Sequence, residues 1–316
     1  MKRTIITGGA GFIGSNLVRR ICKNKKRNVV ILDNYSNGGK KLLSHSLNLR
    51  NVKLFKKDLS FSIQNNAFFS NADLVYHFSA NSDIALSAKS TSLDYKQTLF
   101  CTYQVLEACR EQKIKKLVFS SGSGVYGDLD SFSPNEKYGP LLPISMYGAT
   151  KLGAEAMISA YSFLFDITSY VFRFANVVGP YQTHGVAFDF IKRLQKNPKM
   201  LVVLGNGLQS KSYIHVEDVI DAMLLAQQTA KERVNIFNVG AGDYLTVREI
   251  ADIVLKEMKL KNTKLKFGAS RFGWKGDVPK VRFNDRKIRK LGWKNRYTSR
   301  EAVTHAVRAM LAGQIK

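Results

Sequence analysis

Short apolar runs, most of them rich in β-branched residues, recur along the first 180 positions and alternate with stretches of helical periodicity. The runs typical of buried strands end near positions 7, 33, 55, 80 and 120, and helical patterns follow at about 12–23 and 92–112. This alternation predicts an α/β protein with a doubly wound parallel sheet and right-handed crossovers. In such a sheet, ligands bind beyond the carboxyl ends of the strands.

The turn after the first strand is rich in glycine. Gly8, Gly11 and Gly14 have the spacing at which a tight turn opens into a helix and a pyrophosphate can approach the backbone. Asp33 ends the second strand, where a carboxylate binds the ribose hydroxyls of adenosine and repels a 2′-phosphate. The pattern predicts a Rossmann dinucleotide site that takes NAD rather than NADP. The alternative is a tight turn in an unrelated α/β protein.

A Tyr-x-x-x-Lys pair follows a serine-rich loop at 120–127. Tyr147 and Lys151 lie at the start of a long predicted helix that runs to about position 165. Residues four apart share a helix face, so we expect the Lys151 ammonium to lower the pKa of the Tyr147 phenol toward the range of a base. The spacing is common by chance, but its place after the serine loop of a dinucleotide-binding sheet makes it informative.

Length and composition narrow the class of protein. The 316 residues suit one large domain or two unequal ones, and no apolar run reaches the length of a membrane span. The first strand begins at once, so we expect a cytoplasmic protein without stable membrane insertion. Cys22, Cys101 and Cys109 lack metal or redox spacing, which favours a reducing compartment and predicts no metal site.

The formal net charge of +25 is concentrated in the C-terminal part of the chain. Nucleic acid, an anionic membrane surface or a phosphate-bearing substrate would each suit such a field. We favour a solvated basic surface without a partner. Nucleic acid is not expected, because the charges are interspersed with core-like residues and no nucleic-acid module is recognisable.

These motifs together resemble the extended short-chain dehydrogenase/reductases, specifically the NAD-dependent sugar-nucleotide epimerases and dehydratases of the UDP-glucose 4-epimerase type. The resemblance covers essentially the whole chain. The matching segments are 7–14, 33–34, 58–59, 77–81, 147–151, 173–180 and 213–218.

The resemblance implies both ligand sites. For NAD it implies Gly8, Gly11, Phe12, Ile13, Gly14, Asp33, Asn34, Asp58, Leu59, Phe78, Ser79, Ala80, Tyr147 and Lys151. For a nucleotide sugar it implies Asn81, Ser123, Tyr147, Asn176, Val203, Gln209, Lys211, Tyr213, Arg271 and Asp277. Many relatives carry Arg where this chain has Trp274, two positions before the glycine of that segment, so we expect Arg271 or Arg282 to supply the charge.

The resemblance also implies an architecture. Residues 1–178 form an NAD-binding Rossmann domain to which the chain returns around 210–240, and 179–316 form a smaller, discontinuous α/β domain for the nucleotide sugar. The helices near 92–112 and 146–165 carry apolar residues on more than one face. One face packs on the sheet, and the other is expected to join two subunits in a four-helix bundle, although a well-covered helix layer would give the same pattern.

The implied chemistry begins when Tyr147 takes the proton of the sugar 4-hydroxyl and C4 gives hydride to NAD. Dehydratases place an Asp-Glu pair just before the Val-Tyr-Gly of the serine loop, where this chain has Ser123 and Gly124. Decarboxylases keep the Glu, and 3,5-epimerase/reductases need a Cys in this loop. None of these is present, so C4 epimerisation of a nucleotide sugar is predicted, with a UDP-hexose or UDP-N-acetylhexosamine as the expected substrate.

Two alternatives stay open at this point. A 4-dehydrogenase or dehydratase would use the same Tyr/Lys site, and a non-catalytic NAD sensor would not need it. The hydroxyl that assists the tyrosine in relatives is missing, because Gly122 occupies its position. We expect Ser121 or Ser123 to replace it, with Ser123 preferred.

Overall fold

The computed structural model describes residues 2–61 and 66–313. Its strands in chain order are β1 (Lys2–Thr7), β2 (Arg27–Asp33), β3 (Val52–Lys56), β4 (Leu74–His77), β5 (Lys116–Gly122), β6 (Thr168–Phe174), β7 (Asn176–Val178), β8 (Met200–Val203), β9 (Ser210–Lys211), β10 (Tyr213–His215), β11 (Val234–Val239), β12 (Leu245–Thr246) and β13 (Lys264–Phe267). The first five lie where the apolar runs predict them.

The helices bracket these strands. In chain order they are α1 (Phe12–Ile21), α2 (Ser44–Leu47), α3 (Ile84–Ser87), α4 (Thr91–Asp94), α5 (Cys101–Glu111), α6 (Met146–Phe165), α7 (Val186–Lys196), α8 (Val216–Thr229), α9 (Val247–Glu257), α10 (Arg286–Lys290) and α11 (Ser299–Leu311). The helix predicted over 92–112 is present, but its middle, Tyr95–Phe100, is a π-helix.

Seven parallel strands form the central sheet in the order β11-β6-β5-β4-β1-β2-β3. The chain order reverses beside β1, so the ends of β1 and β4 flank the crevice where ligands bind in folds of this kind. The predicted Rossmann sheet is confirmed. Strand β11, which extends the sheet beyond β6, is not marked by any motif in the sequence.

Apolar side chains cover both faces of this sheet. Neighbouring residues of a strand point to opposite faces, so Ile5 and Ile6 enter different cores although both are fully buried. Helices α1 and α8 cover one face, where Val18 and Val219 pack with Ile6. Helices α5 and α6 supply the core around Ile5 on the other face. This double coverage explains why the strands are continuous apolar runs.

A separate core lies in the C-terminal part. It is built by α7, α9, α11 and β8, through residues such as Leu194, Leu201, Ile250 and Val303. Between its segments the chain returns to the sheet, because α8 packs beside α1 and Arg20 forms ion pairs with Glu217 and Asp221. The late residues Ile288 and Trp293 also join a sheet-side core. The domain boundaries proposed at 178 and 179 stay a prediction.

Candidate active site

A cavity of about 660 Å³ crosses the carboxyl ends of the central strands. One half is walled by the glycine turn after β1 and by the segments that follow β2, β3 and β4. The other half is walled by the start of α7 and by residues near 204–213 and 273–278. The serine loop after β5 and the first turn of α6 lie between them. We call the two parts the turn half and the far half.

Close contacts explain the glycines of the turn half. Gly8 has a φ of +68°, and a Cβ atom there would lie 2.7 Å from the amide nitrogen of Ser79. A Cβ atom on Gly14 would lie 2.3 Å from the carbonyl oxygen of Gly8. Helix α1 begins after Gly11 without a side-chain cap. Its first N–H groups are therefore suited to an anionic group in the cavity.

Two carboxylates order the loops around the turn half. Asp33 is 7% exposed at the end of β2 and accepts hydrogen bonds from the backbone N–H of Ala10 and of Tyr35, each at 2.8 Å. Asn34 donates to Asp58 at 2.9 Å. Burial opposes ionisation of Asp58, but hydrogen bonds from Ser60 and Asn34 outweigh it and lower its pKa. Asp58 is therefore held as an anion.

The predicted cofactor residues converge on this half. All of them line the cavity: Gly8, Gly11, Phe12, Ile13, Gly14, Asp33, Asn34, Asp58, Leu59, Phe78, Ser79, Ala80, Tyr147 and Lys151. They come from the ends of four neighbouring strands and from the start of α6. Their individual roles stay predictions.

Tyr147 and Lys151 lie together, but their protonation differs from the sequence expectation. Burial, with a smaller contribution from the charge of Asp94, raises the pKa of Tyr147 to about 12. Burial lowers the pKa of Lys151 to about 8. The Lys151 Nζ donates to the carbonyl oxygen of Ser120 at 2.7 Å and lies 5.8 Å from the centroid of the Tyr147 ring. Desolvation thus sets the direction of the shift, and the predicted lowering of the tyrosine pKa is wrong.

The structure separates the two candidate serines. Ser121 donates to a carboxylate oxygen of Glu155 at 2.5 Å, and Arg173 pairs with that carboxylate at 2.7 Å in a buried cluster. The Ser123 hydroxyl makes no hydrogen bond within residues 2–61 and 66–313, and it lines the cavity. A Cβ atom on Gly122 would lie 3.5 Å from the Tyr147 hydroxyl. Ser123 is therefore the freer hydroxyl beside the tyrosine.

Most of the predicted sugar-nucleotide residues line the far half or its boundary. Asn81, Asn176, Gln209, Lys211, Tyr213 and Asp277 all do so. Several are already committed to protein contacts. Asn81 donates to the Asp83 carbonyl, the Ser87 hydroxyl and the Asp94 carboxylate, so its amide organises the segment after β4. Asn176 makes a longer contact of 3.4 Å with the Ser212 carbonyl.

Two predicted residues are not among those that line the cavity. Val203 is 1% exposed and belongs to the C-terminal core, because alternation along β8 turns it inward, while its neighbour Leu204 faces the cavity. Arg271 points away and pairs with Asp128 at 2.9 Å. Arg282, the other candidate for the missing charge, stacks on Tyr244 and donates to the Ser210 carbonyl. The placement of neither arginine fits the expectation.

Comparison with known proteins identifies the family. The sequence model of the NAD dependent epimerase/dehydratase family matches residues 4–240. One relative is a Methanocaldococcus jannaschii protein whose name gives it as a UDP-glucose 4-epimerase. The two chains are 31% identical over 311 residues, which cover 97% of each. The chain belongs to the NAD-dependent epimerase/dehydratase family. The resemblance that the motifs carried is confirmed.

Solved structures agree with this membership. The crystal structure of a UDP-galactose 4-epimerase is 33% identical, has a TM-score of 0.86 and covers 98% of this chain and 99% of its own. UDP-glucuronic acid 4-epimerase from Bacillus cereus, solved with UDP-glucuronic acid and NAD, is 25% identical with a TM-score of 0.88 and the same coverage. The epimerases thus include enzymes for different sugars on one fold.

The turn half fits the cofactor that the family name states. Helix α1 packs so closely on the glycine turn that a Cβ atom at Gly14 would clash with the backbone of Gly8 and Gly9. The uncapped start of this helix suits a diphosphate, and Asp33 suits a ribose. Among the residues that the structure describes, no group of His, Cys, Asp and Glu could hold a metal ion. No helix in the described ranges is long and apolar enough to cross a membrane.

Some residues that line the cavity, or that act on a residue lining it, carry no recognisable signal in the sequence. Asp94 is fully buried, and one of its carboxylate oxygens has no hydrogen-bond partner within the described chain, yet its charge acts on Tyr147. Cys101 lines the cavity, and burial raises its thiol pKa to about 12, which keeps it protonated. Arg193 of α7 lines the far half. The π-helix after Asp94 is the kind of distortion that often marks a functional site, but no sequence pattern indicates it.

Proposed function

We propose that this chain is an NAD-dependent 4-epimerase of nucleotide sugars. The observation that carries the proposal is the position of Tyr147 at the junction of the two halves, beside a loop that holds hydroxyls and no acid. A sugar that reaches from the far half would present its carbinol there. The names of the similar epimerases favour a UDP-hexose or UDP-N-acetylhexosamine as substrate.

Each residue has a defined task in this proposal. When bound, NAD would supply the acceptor for the hydride of the sugar C4 and the donor that returns this hydride to the opposite face. Tyr147 takes the proton of the 4-hydroxyl and gives it back, and the Lys151 ammonium stabilises the phenolate. Ser123 donates a hydrogen bond to the sugar 4-oxygen. Because no further proton is moved, no second acid is needed.

The serine loop argues against the dehydratase alternative. A Cβ atom at Gly124 would lie 3.6 Å from a ring carbon of Tyr147, so a glutamate at this position would reach the reacting sugar. Glycine offers no carboxyl group for proton transfer at C5 and C6. Dehydratases do occur among the relatives, including a human dTDP-D-glucose 4,6-dehydratase at 27% identity. A keto sugar in the product mixture would favour this second candidate.

The test is direct. Purified protein is incubated with UDP-, GDP-, CDP- and dTDP-hexoses and with UDP-N-acetylglucosamine, and NMR reads the configuration at C4. We expect inversion with at least one UDP-sugar and no accumulation of a keto sugar by mass spectrometry. Release of a keto sugar would replace epimerisation by dehydrogenation or dehydration, and absence of any conversion would contradict the proposal.

A homodimer is the proposed assembly. Tyr95 and Tyr103 on the π-helix and α5 are 54% and 41% exposed, and Phe163 and Leu164 near the end of α6 are 67% and 70% exposed. Packing of these helices against a second copy in a four-helix bundle would cover such rings. Light scattering on micromolar protein should give a dimer mass, and Phe163→Glu with Leu164→Glu should give a monomer. A monomeric wild type would exclude the bundle.

We also propose a cytoplasmic location. The support is chemical, because Cys22, Cys101 and Cys109 are free thiols buried apart from one another. Cell fractionation with a marker enzyme for each compartment tests it. Recovery with a periplasmic or extracellular marker would overturn it.

A further inference from the structure

A nucleotide sugar brings a diphosphate with two negative charges into the far half, so the cations that face this half matter. Four Lys or Arg residues are among the described residues that line the cavity: Lys57, Lys151, Arg193 and Lys211. Lys57 follows β3 beside Asp58 in the turn half. Lys151 lies beneath Tyr147 and donates to a backbone carbonyl. Only Arg193 and Lys211 are placed for the substrate.

Lys211 is already largely compensated. Its Nζ lies 2.6 Å from a carboxylate oxygen of Asp277, which is almost fully buried. The same ammonium lies 5.2 Å from the centroid of the Trp274 ring. Trp274 occupies the position at which, by the resemblance, many relatives carry an arginine. This part of the cavity therefore offers much less than one net positive charge to a diphosphate.

Arg193 is different. It lies on α7, one turn after Asp189, and a single guanidinium nitrogen donates to the Val202 carbonyl at 2.9 Å. In the part of the chain that the structure describes, no carboxylate lies within ion-pair distance of Arg193. The nearest compensating charge is that of Asp189, which also lines the cavity and interacts with Arg193 only through the longer-range Coulomb attraction. The hydrogen bond to the Val202 carbonyl holds the guanidinium beside strand β8. Leu204, which directly follows this strand, also lines the cavity. Its other N–H donors remain available in the planar fork that suits phosphate oxygens.

We propose that Arg193 supplies the positive charge that binds the diphosphate of the substrate, in place of the arginine that Trp274 replaces. The inference rests on the proposed function, because it assumes a nucleotide-sugar substrate. In this proposal Arg193 takes the role that was expected of Arg271 or Arg282. The guanidinium of Arg271 pairs with Asp128, and that of Arg282 contacts Tyr244 and Ser210. It also assigns Trp274 and Asp277 the task of holding Lys211 in place rather than contacting phosphate.

Binding of a nucleoside diphosphate and of its nucleoside separates a phosphate contact from a base contact. Calorimetry compares UDP with uridine for the wild type, Arg193→Ala, Arg193→Lys and Lys192→Ala. Lys192 is the matched control, because it is the neighbouring cation on α7, lies over the Phe188 ring and does not line the cavity. If GDP, CDP or dTDP binds more tightly to the wild type, that nucleotide and its nucleoside replace the pair.

We expect Arg193→Ala to weaken UDP binding by about tenfold or more, since a charged hydrogen bond is lost, and to leave uridine binding within about twofold. Arg193→Lys should recover part of the loss, and Lys192→Ala should change neither affinity. Circular dichroism melting confirms that each variant is folded.

Three results would overturn the inference: unchanged UDP affinity in Arg193→Ala, equal losses for UDP and uridine, or a wild type that binds none of the nucleotides. The proposed function fails separately. A wild type that binds UDP through Arg193 but inverts no sugar at C4 would contradict epimerisation and leave the diphosphate contact standing.

Discussion

The two halves of the cavity are built in different ways. The turn half is made of backbone and short side chains at the ends of consecutive parallel strands, and its shape depends on glycines that admit no Cβ atom. The far half is made of long side chains from α7 and from segments near 204–213 and 273–278, which lie far apart along the chain. Local sequence therefore specifies the first half, whereas tertiary packing specifies the second.

This contrast has a functional meaning. A cofactor common to the family needs a fixed groove, and a turn with one allowed conformation provides it. A substrate that differs among relatives needs exchangeable contacts, as the change from Arg to Trp at position 274 illustrates. Tyr147 lies between the halves because α6 begins there. The predictions below test this division, from the largest expected effect to the smallest.

Removal of the phenol should have the largest effect. Tyr147→Phe should lower turnover by about 10³-fold, because the proton acceptor is lost, with NAD and UDP affinities unchanged. Initial rates and calorimetry measure both. Tyr95→Phe, which alters an exposed tyrosine, should leave the rate unchanged. A Tyr147→Phe variant with more than a tenth of wild-type turnover would remove the tyrosine from the mechanism.

A methyl group added in the turn half should weaken the binding of NAD and leave the binding of UDP unchanged. Gly14→Ala places a Cβ atom 2.3 Å from the Gly8 carbonyl oxygen, so the backbone must shift at a cost of about 1–3 kcal/mol. We expect NAD affinity to fall by about tenfold or more while UDP affinity is kept. Gly39→Ala is the control, because nothing lies within 4 Å of its Cβ position and its backbone is extended. Equal losses for NAD and UDP would mean that the halves are not independent.

The two serines should differ in what they contribute: Ser123 to the rate of the reaction and Ser121 to the stability of the fold. Ser123→Ala should lower kcat by about 10²-fold, because a hydrogen bond to the sugar 4-oxygen is lost, without changing Tm. Ser121→Ala should lower the free energy of unfolding by about 1 kcal/mol, since Glu155 loses a donor in a buried cluster, and should have a smaller effect on kcat. A reversed pattern would assign the catalytic hydroxyl to Ser121.

The pH profile should follow the buried pair. Below the pKa of Tyr147 the phenolate fraction grows about tenfold for each pH unit, so kcat/KM should rise as the pH is raised from about 6. Near pH 8 Lys151 loses its proton and with it the stabilising charge, so the rise should flatten there. Lys151→Met should remove the break near pH 8. A flat profile across this range would contradict proton transfer to Tyr147.

Much of the turn half was predictable from the sequence. The glycine spacing, the acidic end of β2 and the position of Tyr147 and Lys151 at the start of α6 are local patterns that fold in one way. The loop hydroxyls were predictable only as a pair, because the choice between Ser121 and Ser123 depends on Glu155 and Arg173, which approach from α6 and β6.

The positions of the arginines around the far half and the direction of the tyrosine pKa shift were not predictable. The position of Arg193 depends on how α7 packs against β8, and Arg271 is drawn away by Asp128 from a loop more than a hundred residues earlier. The pKa of Tyr147 depends on complete burial and on Asp94, whose side chain is placed by the short helix before the π-helix. The edge strand β11 lacked a motif, and its pairing with β6 is a long-range contact.

The central claim is that C4 exchanges hydride with the bound cofactor and that Tyr147 carries the hydroxyl proton. Substrate deuterated at C4 tests it most directly, with mass spectrometry and NMR of the epimer formed in ordinary water. We predict that the inverted product keeps its deuterium at C4 and that Tyr147→Phe forms almost none of it. Loss of the label to solvent would contradict the account, because inversion would then proceed by removal of a proton from carbon.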